Sequence, residues 1–214
     1  MKVILVGATT ICGRISPPGY GSLLDRRRLE EIRDNTGASI MGANTLRTEN
    51  PEMRGTDGTL NPHRFRSVIS ESGNIPIMGK KLFSHGPDPV IFSSEKNFFV
   101  LQDRFKGKAD VVALPGGPHG GLSLQAVLDF FVDREVDSLL IEGGAQLNYA
   151  ALAERVVDEI LLTVMPYVSG DRNEPTFADG AIQLGDPFVK LELLSSEPVS
   201  TGELFLHYRI NKTE

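Results

Sequence analysis

Short apolar runs alternate with amphipathic stretches along most of this chain. Val3-Ile4-Leu5-Val6 is continuously apolar, as in a strand buried on both faces. Ala38 to Met41, Ser67 to Ile69, Pro89 to Ser93, Val111 to Leu114 and Leu139 to Ile141 read as further short strands. Between them, Ser22 can cap a helix running to about Asn35, stopped by Gly37. Leu24, Leu29 and Ile32 give that helix only a partial apolar stripe, so the expectation rests partly on the good helix formers around them. Ser123 caps a clearer one: Leu124, Val127, Leu128, Phe131 and Val132 fall on one face. Gln146 to Arg155 is a third helix. Ile160 to Val168 is a strand, and Lys190 to Ser195 and Glu203 to Ile210 look like a closing antiparallel pair. Thr10 to Gly21 and Arg54 to Pro62 are loops. The Pro115 to Gly121 loop reads as a plain connector, although its glycines could touch a phosphate.

This alternation predicts an α/β protein with three layers, α/β/α, around a mixed, mainly parallel sheet. No repeat, low-complexity tract or linker divides the chain, so residues 1–214 read as one domain.

Composition narrows the function classes. The chain is 40% hydrophobic and 23% charged, as in ordinary globular proteins. A formal net charge of −6 excludes a dominant basic surface and hence a general nucleic-acid binder. The single cysteine, Cys12, allows no intrachain disulfide and fits a reducing compartment. The Val3–Val6 run lacks the features of a signal peptide, and no apolar run approaches the ~18 residues of a membrane span, so the expected location is the cytoplasm.

Two segments could carry chemistry. In Leu139-Leu140-Ile141-Glu142-Gly143-Gly144-Ala145-Gln146-Leu147, a strand ends in a carboxylate and two glycines open a helix. Open α/β sheets bind ligands beyond their carboxyl strand ends, and a helix N-terminus attracts an anion. Glu142 would repel phosphate and should face an amide or amine instead. The plainer reading is a tight turn with a solvated Glu142. In Met41-Gly42-Ala43-Asn44-Thr45-Leu46-Arg47-Thr48-Glu49-Asn50-Pro51, a second strand leads through glycine to a short helix. Its plainer reading is a helix capped by Asn44 or Thr45. Two such turns in one sheet point to a dinucleotide, although neither matches the common nucleotide fingerprints.

Arg14, Arg33 and Arg54 are candidate partners for a substrate phosphate, and Arg26-Arg27-Arg28 reads as a solvated face. His63, His85, His119 and His207 lack metal-ligand spacing, no nucleophile elbow occurs, and Cys12 has no assignable base.

Together these motifs resemble the pyrimidine reductases of riboflavin biosynthesis, which have a dihydrofolate-reductase-like fold. Ala8-Thr9-Thr10-Ile11-Cys12-Gly13-Arg14-Ile15-Ser16 parallels that family's A-x-S-L-D-G-[KR]-I-A. Ile32-Arg33, Ala38 to Thr45, Thr48-Glu49-Asn50-Pro51, Leu140 to Gly144, Val157 to Ile160, Met165-Pro166 and Glu203 to Leu206 follow in the family's order. The resemblance implies a stand-alone reductase, without the zinc deaminase domain of bifunctional members. It implies hydride transfer from NADPH to a phosphorylated ribosylamino-pyrimidine, giving a ribityl product, in a homodimer. By matching positions, Ala8, Gly42, Asn44, Thr45, Glu49, Gly143, Gly144, Ala145, Gln146 and Leu147 contact NADPH. Arg14, Arg33, Met53, Arg54 and Glu142 contact substrate. Cys12 stands where the family has Asp, Glu49 where Asp is common, and Thr56 where a substrate-binding arginine usually lies. A reductase of the same fold with another substrate (a pterin, imine or carbonyl) and a non-catalytic nucleotide-binding protein are the alternatives.

Overall fold

The structure is a computed structural model and describes residues 1–15, 19–185 and 188–211. Ser16, the last residue of the first motif, lies outside them.

The strands are β1 (Lys2–Thr10), β2 (Ala38–Gly42), β3 (Phe65–Ser70), β4 (Val90–Ser94), β5 (Asp110–Leu114), β6 (Ser138–Ile141), β7 (Glu159–Met165), β8 (Leu191–Pro198) and β9 (Leu204–Ile210). The α-helices are α1 (Leu23–Asp34), α2 (Ala43–Glu49), α3 (Phe98–Arg104), α4 (Leu124–Val132) and α5 (Ala145–Ala153). The strands form one sheet in the order β5-β4-β3-β2-β6-β1-β7-β9-β8. All neighbours from β5 to β7 pair in parallel, and β9 pairs antiparallel with both β7 and β8. The mixed, mainly parallel sheet is therefore as expected.

Alternate side chains of the central strands feed two separate cores. Ala38, Ile40, Val90, Phe92, Leu139 and Ile141 pack with α4 and α5, around Val127, Phe131 and Ala151. Met41, Val68 and Ile91, of opposite parity, pack with Leu46 of α2 and Leu101 of α3. The period-two alternation thus splits the apolar residues between two faces and makes three layers.

Ser22 and Ser123 cap α1 and α4 as expected, accepting from Asp25 N–H and Ala126 N–H. Several boundaries differ. β1 runs on through Gly7 to Thr10, because β7 offers it a parallel partner as far as Met165. β7 stops at Met165 rather than Val168, since Pro166 has no N–H to give the ladder. α3 was not legible in the sequence: its Phe99 and Val100 are exposed and only Leu101 is buried, so no apolar stripe marks it. Arg28 does not join a solvated face. Its guanidinium lies 4.4 Å over the Phe205 ring and donates to Thr163 Oγ1 at 3.3 Å, tying α1 to β7 and β9. Among the described residues no helix is long and apolar enough to cross a membrane.

Candidate functional site

Inserting β6 between β2 and β1 brings the two glycine turns together. Gly42 N–H faces Gly143 O at 3.4 Å, and Glu142 N–H donates to Ile40 O at 2.9 Å. Gly143 and Gly144 have φ of +90° and +103°, a region where a side chain is strained. A Cβ on Gly144 would also sit 3.5 Å from Thr45 Oγ1. Gly144 gives α5 no side-chain cap, so the first-turn N–H groups of Ala145, Gln146 and Leu147 stay available at its positive end.

An open cleft of about 940 Å³ lies beyond the carboxyl ends of β2, β3 and β6. Gly42, Asn44, Thr45, Glu49, Gly144, Ala145, Gln146 and Leu147 all line it. Ala8 and Gly143 are not on its wall: Ala8 pairs with Thr163 inside the sheet, and the Gly143 carbonyl faces Gly42 N–H. The Pro115–Gly121 loop is more than a connector, since Gly121 forms part of the wall. A second cavity of about 400 Å³, between α5 and the end of β9, is lined by none of the expected site residues.

The cleft has a lip that the sequence did not reveal. Arg14 donates to Glu174 O at 2.8 Å and Ile15 N–H to Pro175 O at 2.8 Å. Phe177 presses onto β1 where Gly7 leaves room, as a Cβ there would meet its ring at 2.9 Å. Asn148 on α5 donates to Phe177 O at 2.8 Å, and Asp179 N–H to Ala145 O at 3.2 Å. Arg14 therefore anchors residues 174–176 across the loop that follows β1. No hydrophobic periodicity marks such a segment, because polar bonds hold most of it.

Beneath the glycine turn lies a buried polar network. Arg33 grips Glu142 with both ends of its fork, Nε to Oε1 at 3.0 Å and Nη2 to Oε2 at 2.7 Å. Both side chains are only 6% exposed. Arg33 Nη1 donates to Arg54 O at 2.9 Å, and the Ser39 hydroxyl donates to Glu142. Arg64, which the sequence gave no reason to select, donates to the Ser39 hydroxyl and to Thr36 O. Burial pushes the Glu142 carboxyl up, but the charges of Arg33 and Arg64 and these hydrogen bonds outweigh it and hold the group below the usual carboxylate range. Burial outweighs the charge of Glu142 at Arg64 and lowers it to about 10. The solvated reading of Glu142 does not hold, and its carboxylate meets Arg33 and Ser39 where a ligand amide or amine was expected.

Met53 needs a correction. The residue is 2% exposed and packs in the second core, so it stands off the cleft wall. Arg54 is the opposite case, with a side chain 41% exposed and bonded to Glu30 at 3.4 Å. Thr56 turns away and donates to Asp34. Glu49, on the cleft wall, is raised in pKa by burial and then by the nearby Glu142 charge. Cys12 is exposed, and hydrogen bonds from the Gly170 backbone and the Thr10 hydroxyl lower its thiol to about 7. Among the described residues no three His, Cys, Asp or Glu side chains form a metal site.

Comparison with known proteins now assigns the chain. The model of the RibD C-terminal domain matches residues 1–205. The chain belongs to this family. A 2,5-diamino-6-ribosylamino-4(3H)-pyrimidinone 5′-phosphate reductase from Aquifex aeolicus is 28% identical, over 83% of this chain and 82% of that one. One of the same name from Methanothermobacter thermautotrophicus is 27% identical over 97% of each chain. Among solved structures, a pyrimidine reductase-like protein from Corynebacterium diphtheriae superposes with a TM-score of 0.78 at 20% identity, covering 99% of this chain and 92% of that one. A dihydrofolate reductase from Enterococcus faecalis superposes at 0.55 and 14% identity, over 99% and 97%. This RibD C-terminal domain protein thus has the dihydrofolate-reductase-like fold that its motifs implied.

Proposed function

We propose that this RibD-family protein is the NADPH-dependent reductase of a phosphorylated ribosylamino-pyrimidine, converting its ribosyl group to ribityl in riboflavin biosynthesis. The relatives named as pyrimidinone phosphate reductases support the substrate class. The observation that carries the cofactor is the pair of glycine turns at the mouth of one cleft. Gly143 gives the turn its positive φ, Gly144 keeps a side chain away where a diphosphate must approach closely, and α5 meets it with free N–H groups. The hydroxyl of Thr45 and the amide of Asn44 line the same wall for ribose or phosphate oxygens. These residues fit a dinucleotide.

Bound NADPH would supply a hydride to C1 of the ribosyl group as its C1–O4 ring bond opens, and a solvent proton taken up at O4 completes the reduction. The protein's own part is to bind, orient and neutralise. Arg54 keeps an exposed guanidinium for the substrate phosphate, while Arg14 secures the lip over the cleft. Glu142, buried and kept ionised by Arg33, Ser39 and Arg64, acts from beneath the glycine turn by fixing its position. The exposed Leu191 and Leu193 of the edge strand β8 fit the proposed homodimer, which sedimentation would test.

The test is turnover of the pyrimidinone phosphate with NADPH, followed as loss of reduced-nicotinamide absorbance with chromatography of the ribityl product. Formation of that product is expected. NADPH binding without turnover of this compound would move the protein to another substrate of the same fold.

A further inference from the structure

A cleft that selects NADPH over NADH needs a cation for the 2′-phosphate. The sequence shows many basic residues and no way to choose among them. The structure narrows the choice. Glu49, Glu71, Glu174 and Asp179 line the cleft, and among the described residues Arg47 is the only Lys or Arg that does. A phosphate dianion on this wall needs a cation to offset these carboxylates, including Glu71 between Ser70 and Ser72.

We propose that Arg47, together with Ser70 and Ser72, forms the subsite that receives the 2′-phosphate and sets the preference for NADPH. The inference rests on reading the cleft as the dinucleotide site. Arg47 lies in the last turn of α2, on the helix that follows the Gly42 turn. Its Nη1 donates to Asn74 O at 2.6 Å and its Nη2 to Asn44 Oδ1 at 3.4 Å. These two bonds hold the guanidinium at the cleft wall. A guanidinium carries five N–H donors in a planar fork, so donors remain for a phosphate. Asn74 also ties in the hydroxyls: its N–H donates to Ser72 Oγ at 3.3 Å, and Ser72 Oγ lies 3.4 Å from Ser70 Oγ. One residue, Asn74, thus fixes the cation through its carbonyl and the hydroxyl pair through its amide. The carboxyl end of β3 and the end of α2 meet here, giving an anion one charged and two neutral partners.

The experiment measures binding, apart from turnover. NADPH, NADH, 2′,5′-ADP and 5′-ADP are titrated calorimetrically into the wild type, Arg47→Ala, Arg47→Lys and Ser72→Ala, each checked by circular dichroism for a native fold. The wild type should bind NADPH at least about tenfold more tightly than NADH, as a charge-assisted phosphate contact implies. Arg47→Ala should lose most of that ratio by weakening NADPH and 2′,5′-ADP while leaving NADH and 5′-ADP unchanged. Arg47→Lys should recover part of it, and Ser72→Ala should reduce it less. The inference is overturned if Arg47→Ala keeps the wild-type ratio, or if the wild type shows no ratio. Should Arg47→Ala not fold, Arg47→Lys and Ser72→Ala still decide, since unchanged ratios in both overturn it. A wild type that binds neither dinucleotide overturns the cleft reading itself, which is a separate outcome.

Discussion

The buried Arg33–Glu142 pair is where single residues matter most. Two desolvated charges are stable only together, so removing one strands the other, at a cost of about 3–5 kcal/mol. Arg33→Ala should therefore lower stability by about that amount in urea unfolding, and should raise the KM for the phosphorylated substrate more than the Kd for NADPH. The double variant Arg33→Met, Glu142→Leu separates the two effects: it should regain much of the stability and none of the turnover. The pH dependence has a definite sign. Glu142 is depressed in the folded state, so its contribution is present above the ordinary carboxylate pKa and is lost as pH falls through the folded value. Wild-type stability should drop on acidification more steeply than that of Glu142→Gln, as urea midpoints across an acid pH series would show. Cys12 gives an independent check on the loop after β1. With its thiol lowered to about 7, alkylation by iodoacetamide should reach half its maximal rate near that pH, against roughly 8.5 for an ordinary cysteine. An ordinary midpoint would mean that Gly170 and Thr10 do not hold the thiolate.

At the scale of elements, the site is two strand–glycine–helix turns made neighbours by β6. Gly144→Asp should abolish NADPH binding, because it forces a side chain at φ +103° beside Thr45 and puts a negative charge at the positive end of α5. Unchanged affinity would remove the phosphate from this turn. These turns were legible in the sequence because glycine, strand end and helix start are all local signals. So was α4, whose apolar stripe, Leu124, Val127 and Phe131, is buried as its spacing implied. The lip at residues 174–180 was not legible, since it is held by contacts from Gly7, Arg14 and Asn148 that lie far apart in sequence. Arg64 escaped for a similar reason. Only the fold places it under Ser39, and an arginine before a strand reads as solvent-facing. Met53 shows the converse, because a position matched by motif can still point its side chain into the core.

For the whole molecule, one sheet does two jobs. Its parallel portion, β5 to β7, gathers the carboxyl strand ends into the cleft, while the antiparallel β9 and β8 carry the chain away from it. That division explains why the late strands contribute no expected site residue. It also places the exposed Leu191 and Leu193 away from the glycine turns, at the far edge where a second copy could pack without blocking the cleft. The central claim is that hydride passes from NADPH bound at the glycine turns to the ribosyl carbon of a pyrimidine phosphate. It is tested most directly with NADPH deuterated at the nicotinamide C4 position and the pyrimidinone phosphate as acceptor, the product being read by mass spectrometry and NMR. The account predicts a ribityl product carrying one deuterium at C1, formed by the wild type and not by Gly144→Asp. A product without deuterium at that carbon, or no product from protein that binds NADPH, would contradict it.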